Sequence, residues 1–203
     1  WVVDIQGAPP ITEVDHVILA TPTYATAGIV GGLERAFLSP LQAIDYAAVT
    51  VVAMGFAADA VGNSLDGFGF LVPSLEEREI LGCLWPSSIY PGHRAPDDTK
   101  ILRVMVGGAR NPELALRADS EILSSVKSEL AEILGLQGEP IFERVIRWKS
   151  AIPQYSLQHL EHLRQLDAVV GKWPGLSLVG NGYRGVAVND CTREAPATAR
   201  SVL

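Results

Sequence analysis

The chain has 203 residues, with 16 Lys plus Arg against 23 Asp plus Glu, a formal charge of −7, and 48% hydrophobic residues. That length holds one domain or one and a fraction, and that composition can bury a sizeable core, which excludes a disordered chain. The densest basic stretch, Arg144-Val145-Ile146-Arg147-Trp148-Lys149, is interleaved with apolar residues as a strand is, so nucleic acid is excluded as the expected partner.

Trp1-Val2-Val3-Asp4-Ile5 reads as a strand already under way; with Trp at position 1 and methionine only at Met54 and Met105, a piece of a longer chain is expected. Val14 to Ala20 is an apolar, β-branched run of the kind that suits a parallel strand buried on both faces. Tyr24 to Leu38 spaces its apolar residues at helical intervals, with Pro40 as the stop. Ala48 to Phe56 is the next strand, and the apolar stretch around it, Tyr46 to Ala58, is well short of the roughly 20 residues a bilayer span needs. Phe68 to Val72 and Ile80 to Trp85 read as an antiparallel pair across a charged loop, Glu76 to Glu79.

A Pro-, Gly- and Asp-rich loop, Ser87 to Lys100, leads into the strand Ile101 to Val106. Next comes the clearest helix, capped at Asp119 or Ser120, striped by Ile122, Val126, Leu130, Ile133 and Leu134, and ended by Gly135. Phe142 to Trp148 is a further strand. Leu157 to Val170 is a second amphipathic helix with Leu157, Leu160, Leu163, Leu166 and Val170 on one face, and Trp173-Pro174-Gly175 is its exit. A short strand, Leu176 to Val179, a glycine-rich turn and a helix from about Asn189 close the chain. Cys83 and Cys191 stand in no metal-like spacing and signal no disulfide framework, which fits a reducing compartment.

Gly180-Asn181-Gly182-Tyr183-Arg184-Gly185 matches G-x-G-x-x-G between a strand and a helix, where glycines permit close approach of the backbone and the helix N-terminus offers free N–H groups. The acidic residue expected about 20 positions on, at the end of a second strand, has no place before Leu203. A cofactor loop and a coincidental loop-and-cap both remain open on spacing alone. Trp148 and Tyr155, flanking Ile152-Pro153, put two aromatics where the chain leaves a sheet, which suits either a flat ligand or core packing. His159 and His162 lie i, i+3 in a string that matches no metalloprotease motif, so a solvated helix face is expected and no metal. No protein nucleophile or acid/base constellation stands out, and chemistry borne by a bound cofactor requires none.

Taken together, Gly67-Phe68-Gly69-Phe70-Leu71-Val72-Pro73-Ser74, Ala151-Ile152-Pro153-Gln154-Tyr155 and the run from Gly180 through Tyr183 and Gly185-Val186-Ala187-Val188-Asn189-Asp190-Cys191 resemble, in order and separation, the C-terminal part of the oxygen-dependent protoporphyrinogen oxidases. Asn181-Gly182 departs from that family's usual small pair. The resemblance covers nearly the whole chain and implies an FAD enzyme of haem biosynthesis that removes six electrons from protoporphyrinogen IX and passes them to O2, giving H2O2. It implies an α/β fold with mixed character: a mixed-sheet substrate domain plus the last strand, turn and helix of a Rossmann-like FAD domain.

On that reading residues 1–22 link the two domains, 23–147 form the substrate-binding sheet, and 148–203 form the FAD-binding segment. Trp148, Gly180, Gly185, Val186, Ala187, Val188 and Asn189 would border the cofactor, FAD. Phe68, Gly69, Leu71, Leu84, Met105 and Val106 would wall the tetrapyrrole site. No catalytic residue and no metal ligand is implied. The implied partners are the tetrapyrrole and the missing N-terminal FAD half of the same protein. A membrane surface touched peripherally by an otherwise cytoplasmic full-length protein and a second copy on which the last helix docks complete the set. The alternatives are another flavin amine oxidase, such as a phytoene desaturase-like enzyme, and a porphyrin-binding module without redox activity.

Overall fold

The computed structural model describes residues 1–202. In chain order the elements are β1 (Val3–Ile5), β2 (Ala8–Ile11), β3 (Val17–Leu19), α1 (Thr23–Val30), α2 (Leu38–Gln42), β4 (Tyr46–Ala57), β5 (Gly69–Leu71), β6 (Ile80–Leu84), α3 (Pro86–Ile89), β7 (Thr99–Gly107), α4 (Asp119–Leu134), β8 (Phe142–Pro153), α5 (His159–Val170), β9 (Leu176–Leu178) and α6 (Val188–Val202). They divide into two compact units: Tyr46–Ile152, here the sheet unit, and Trp1–Asp45 with Pro153–Leu203, here the split unit. The architecture is mixed α/β. Among the described residues no helix is long and apolar enough to cross a membrane.

The sheet unit is built on five strands in the order β5-β6-β7-β4-β8. β4 pairs antiparallel with β7 over nine residues, from Val49 opposite Gly107 to Ala57 opposite Thr99, and β6 pairs antiparallel with both β7 and β5. Because opposite residues in an antiparallel ladder share a face, register alone sorts the side chains. Val52, Val104, Cys83 and Phe70 form one such row, and all but the half-buried Phe70 are fully buried. That face packs on α4, whose residues Ile122, Val126, Leu130 and Leu134 recur at helical period and fill the same core with Met54, Phe56 and Leu102. The first turn of α4 is held by Glu121, whose carboxylate accepts the Ala118 N–H at 3.1 Å, rather than by Asp119 or Ser120 as the sequence predicts. Asp119 instead pairs with Arg147 at 2.7 Å.

In the split unit β3 and β9 run parallel, Val17 opposite Leu176 and Leu19 opposite Leu178, which is the predicted pairing, but Ile18 is 45% exposed, so β3 is not buried on both faces as the sequence predicts. The core there joins α1, α2, α5 and the loop after β9 through Ala27, Val30, Phe37, Leu41, Leu163 and Tyr183. The residues from 23 to 45 thus belong with this unit, and the boundary predicted after residue 22 falls after Asp45. The predicted helix Tyr24 to Leu38 ends early, at Val30, where Gly31 and Gly32 follow, and Pro40 sits inside the first turn of α2, where its missing N–H costs no intrahelical bond. β2 was not legible because it contains Pro9 and Pro10. It pairs only with β1 and is exposed throughout, the edge position a strand proline requires.

Candidate functional site

The chain leaves β9 through a loop, residues 180–187, that leads into α6. Of the three motif glycines, Gly180 (φ +124°) and Gly185 (φ +147°) adopt backbone conformations that side chains resist, and Gly182 does not. A Cβ on Gly185 would lie 2.2 Å from that of Asp190. Asp190 Oδ2 accepts the Ala187 N–H at 3.1 Å while its Oδ1 accepts from Arg193 at 2.7 Å, and these bonds, the arginine's first, hold its carboxyl below the usual aspartate range.

A polar brace fixes the loop from behind. The Tyr155 hydroxyl donates to the Asn181 carbonyl at 2.7 Å and accepts the Gly185 N–H at 2.9 Å. Its ring stacks on His159, with centroids 3.7 Å apart and planes 11° from parallel. His159 Nε2–H donates to the Tyr183 carbonyl at 2.7 Å, and the Tyr183 hydroxyl reaches Thr26 at 3.1 Å. The solvated face expected for His159 is therefore corrected: it is buried at 5% exposure, whereas Leu157 and Leu160 of the predicted stripe are exposed. The stripe holds at Leu163, Leu166 and Val170, which pack in the core, and fails at its start, where His159 takes the inner position.

On the outer side of this loop, Val186 and Val188 are exposed apolar residues, 39% and 78%, at a helix start. The N–H groups of Val188 and Asn189 lie in the first turn, where no intrahelical acceptor exists, and meet none among the described residues. Apolar contact beside free N–H donors at a positive dipole end fits the edge of a flat, electron-rich ring. Gly180, Gly185, Val186 and Ala187 lie in this loop, and Val188 and Asn189 form the first turn of α6 directly after it. Trp148 belongs to the sheet unit.

The predicted substrate residues fall on the second face of the sheet. Gly69, Leu84, Arg103 and Ala53 form one row, and Leu71, Gly82, Met105 and Val51 the next. Phe142 lies against the same face at Gly55, while Glu143 and Arg147 turn the other way, to Lys127 and Asp119. Alternation then sets Arg144, Ile146 and Trp148 on the face of Phe142. Phe68, 73% exposed, joins Leu84, Tyr90, Arg94 and Arg103 around a cleft of about 500 Å³, a volume typical of small-molecule sites. Val106 is the exception. It sits opposite Ile80 and Thr50, 4% exposed in the α4-side core, so it offers a ligand no surface, and its assignment to the tetrapyrrole wall is corrected to core packing. Pro86, Ile89, Tyr90, Arg94 and Arg103 are the cleft residues that the sequence reading left out.

A family model described as flavin containing amine oxidoreductase matches residues 2–203. Coproporphyrinogen III oxidase of Bacillus subtilis is 29% identical over 94% of this chain and 40% of its own length. Mitochondrial protoporphyrinogen oxidase of Nicotiana tabacum is 35% identical over 74% of this chain and 30% of its own. Among solved structures, an Exiguobacterium protein named provisionally as a protoporphyrinogen oxidase superposes with a TM-score of 0.76 at 26% identity, over 93% of this chain and 41% of that one. Cyclohexylamine oxidase from Brevibacterium oxydans, at 14% identity and a TM-score of 0.65 over 98% of this chain and 45% of its own, shares the fold. The chain spans less than half the length of each of these relatives.

Proposed function

Because this chain belongs to the flavin-containing amine oxidoreductase family, whose cofactor is FAD, we propose that it supplies the substrate sheet and the last flavin-bordering loop and helix of a porphyrinogen oxidase. The observation that carries this reading is the loop 180–187, held from behind by Tyr155 and His159 and presenting Val186, Val188 and two free N–H groups outward. Both kinds of porphyrinogen oxidase among the relatives support it.

When bound, FAD would take the electrons that leave the tetrapyrrole and pass them to O2, with hydrogen peroxide as the reduced product. The chain's own residues bind and orient. Val186 to Val188 would border the ring, and the Val188 and Asn189 N–H groups would donate to its electron-rich edge, favouring the charge that reduction places there. Gly185, fixed by the Tyr155 hydroxyl, keeps side chains out of that approach. In the sheet unit, Phe68, Leu71, Leu84 and Met105 give the macrocycle an apolar wall that excludes water. No side chain of this chain is assigned a proton-transfer role.

The test is aerobic oxidation of porphyrinogens by the full-length, FAD-loaded protein, followed by porphyrin fluorescence and peroxide formation. Protoporphyrinogen IX and coproporphyrinogen III are the two substrates to compare. Fluorescence growing faster than spontaneous oxidation with at least one of them is the expected result. A flavin-loaded protein that accelerates neither would overturn the reading and return attention to a desaturase-like activity. Failure to load FAD at all would favour a binding module.

A further inference from the structure

The charges of the sheet unit are sorted by face. Around α4 every one of Arg78, Arg117, Lys127 and Arg147 lies within 3.3 Å of a carboxylate: Glu129 and Glu132, Glu79, Glu139 and Glu143, and Asp119 respectively. On the second face neither Asp nor Glu occupies the rows that run through Leu84 and Gly82, yet Arg103 stands in one of them. Arg94 lines the same cleft, its guanidinium 5.2 Å from the centroid of the Tyr90 ring. Among the described residues, neither Arg94 nor Arg103 has a carboxylate partner, although Asp97 and Asp98 follow Arg94 closely in sequence. In a chain with seven more acids than bases, two exposed arginines without a carboxylate partner beside an apolar cleft are free to receive an external anion.

We propose that Arg94 and Arg103 are carboxylate anchors of the cleft, receiving acidic side chains at the rim of a tetrapyrrole macrocycle whose body lies on Phe68 and Leu84. The proposal rests on the porphyrinogen reading and extends it to specificity. Guanidinium groups match carboxylates two bonds at a time, and the Tyr90 ring beneath Arg94 limits where that fork can point. The ligand chemistry is therefore a cyclic tetrapyrrole bearing ionised carboxylates. A tetracarboxylate such as coproporphyrinogen III gains more from two anchors than a dicarboxylate such as protoporphyrinogen IX, which presents acid groups on one side only.

The experiment uses the full-length, FAD-loaded protein and air-stable probes: coproporphyrin III, its tetramethyl ester and protoporphyrin IX, with affinities read from fluorescence. Arg103→Gln and Arg94→Gln are each expected to weaken coproporphyrin III binding about tenfold or more, the loss of one charge-assisted pair. Protoporphyrin IX should lose less, and the ester should bind wild type and variants alike. Arg103→Lys restores part of the loss, which a collapsed fold would not allow, and Arg164→Gln, an exposed arginine of α5, changes nothing. Unaltered coproporphyrin affinity in both Gln variants, or equal losses for acid and ester, overturns the anchors. Porphyrinogen turnover with arginine-independent binding removes the anchors and leaves the oxidase; arginine-dependent binding without turnover removes the oxidase and leaves the anchors. A wild-type protein that binds none of the probes removes the anchors, and one that also turns over neither porphyrinogen removes both.

Discussion

The sheet unit and the split unit reach order by different means. In the first, shape follows from apolar register: Val52, Val104 and Cys83 share a buried row, and α4 closes over it with four residues at helical spacing. In the second, the loop proposed to border the cofactor is positioned by directed bonds among Tyr155, His159, Asn181, Tyr183 and Gly185. Apolar packing tolerates change of shape at constant volume, whereas a hydrogen-bonded brace fails when one atom is removed. Substitutions should therefore separate stability from cofactor affinity according to the unit they strike.

The largest loss of stability is expected from Leu130→Ala. Its side chain is fully buried under the sheet, and truncation should cost about 2–5 kcal/mol in urea unfolding. Next comes Gly185→Ala, where φ is +147° and the new methyl meets Asp190. Strain of about 1–3 kcal/mol is expected in thermal unfolding, with a larger proportional loss of FAD affinity in the full-length protein than Leu130→Ala causes at a temperature where both are folded. If the two variants lose FAD equally, the contrast between the units fails. Tyr155→Phe keeps the ring on His159 and deletes two hydrogen bonds, so it should cost about 1–2 kcal/mol and loosen the loop, seen as faster amide exchange at Gly185.

The smallest effect concerns acid. Arg193 and the Ala187 N–H lower the Asp190 pKa from its ordinary 3.8, so its contribution is present above that value and fades as pH falls through the lower, folded value. Helix α6 should therefore fray first at its start on strong acidification, read from the Asp190 carboxyl and Asn189 amide signals. Arg193→Gln should shift that onset toward higher pH.

Legibility in the sequence followed the same division. β4, β7 and α4 could be read because a β-branched run or a four-residue period states the buried face directly. Val106 was misread because alternation along β7 fixes a face only once a neighbouring strand says which face is inside. His159 was misread because burial of a histidine depends on one distant carbonyl, that of Tyr183, which no local pattern announces. The boundary after Asp45 was hidden for a related reason: α1 belongs with the split unit through Thr26 and Tyr183, residues far apart in sequence. Arg94 and Arg103 went unnoticed since a cation's lack of a partner is invisible until the folded neighbours are known.

Trp85 carries a practical consequence. Its indole is packed in the sheet core at 7% exposure, and its N–H finds no acceptor among the described residues. Such a ring should emit at the short-wavelength end of tryptophan fluorescence and move to longer wavelength when that core opens. Trp148, 57% exposed on the other face of the same sheet, already emits from a watery setting and should instead be quenched when a coloured planar molecule settles nearby. Subtracting the spectra of Trp85→Phe and Trp148→Phe gives the molecule two separate optical gauges, one for melting and one for occupancy.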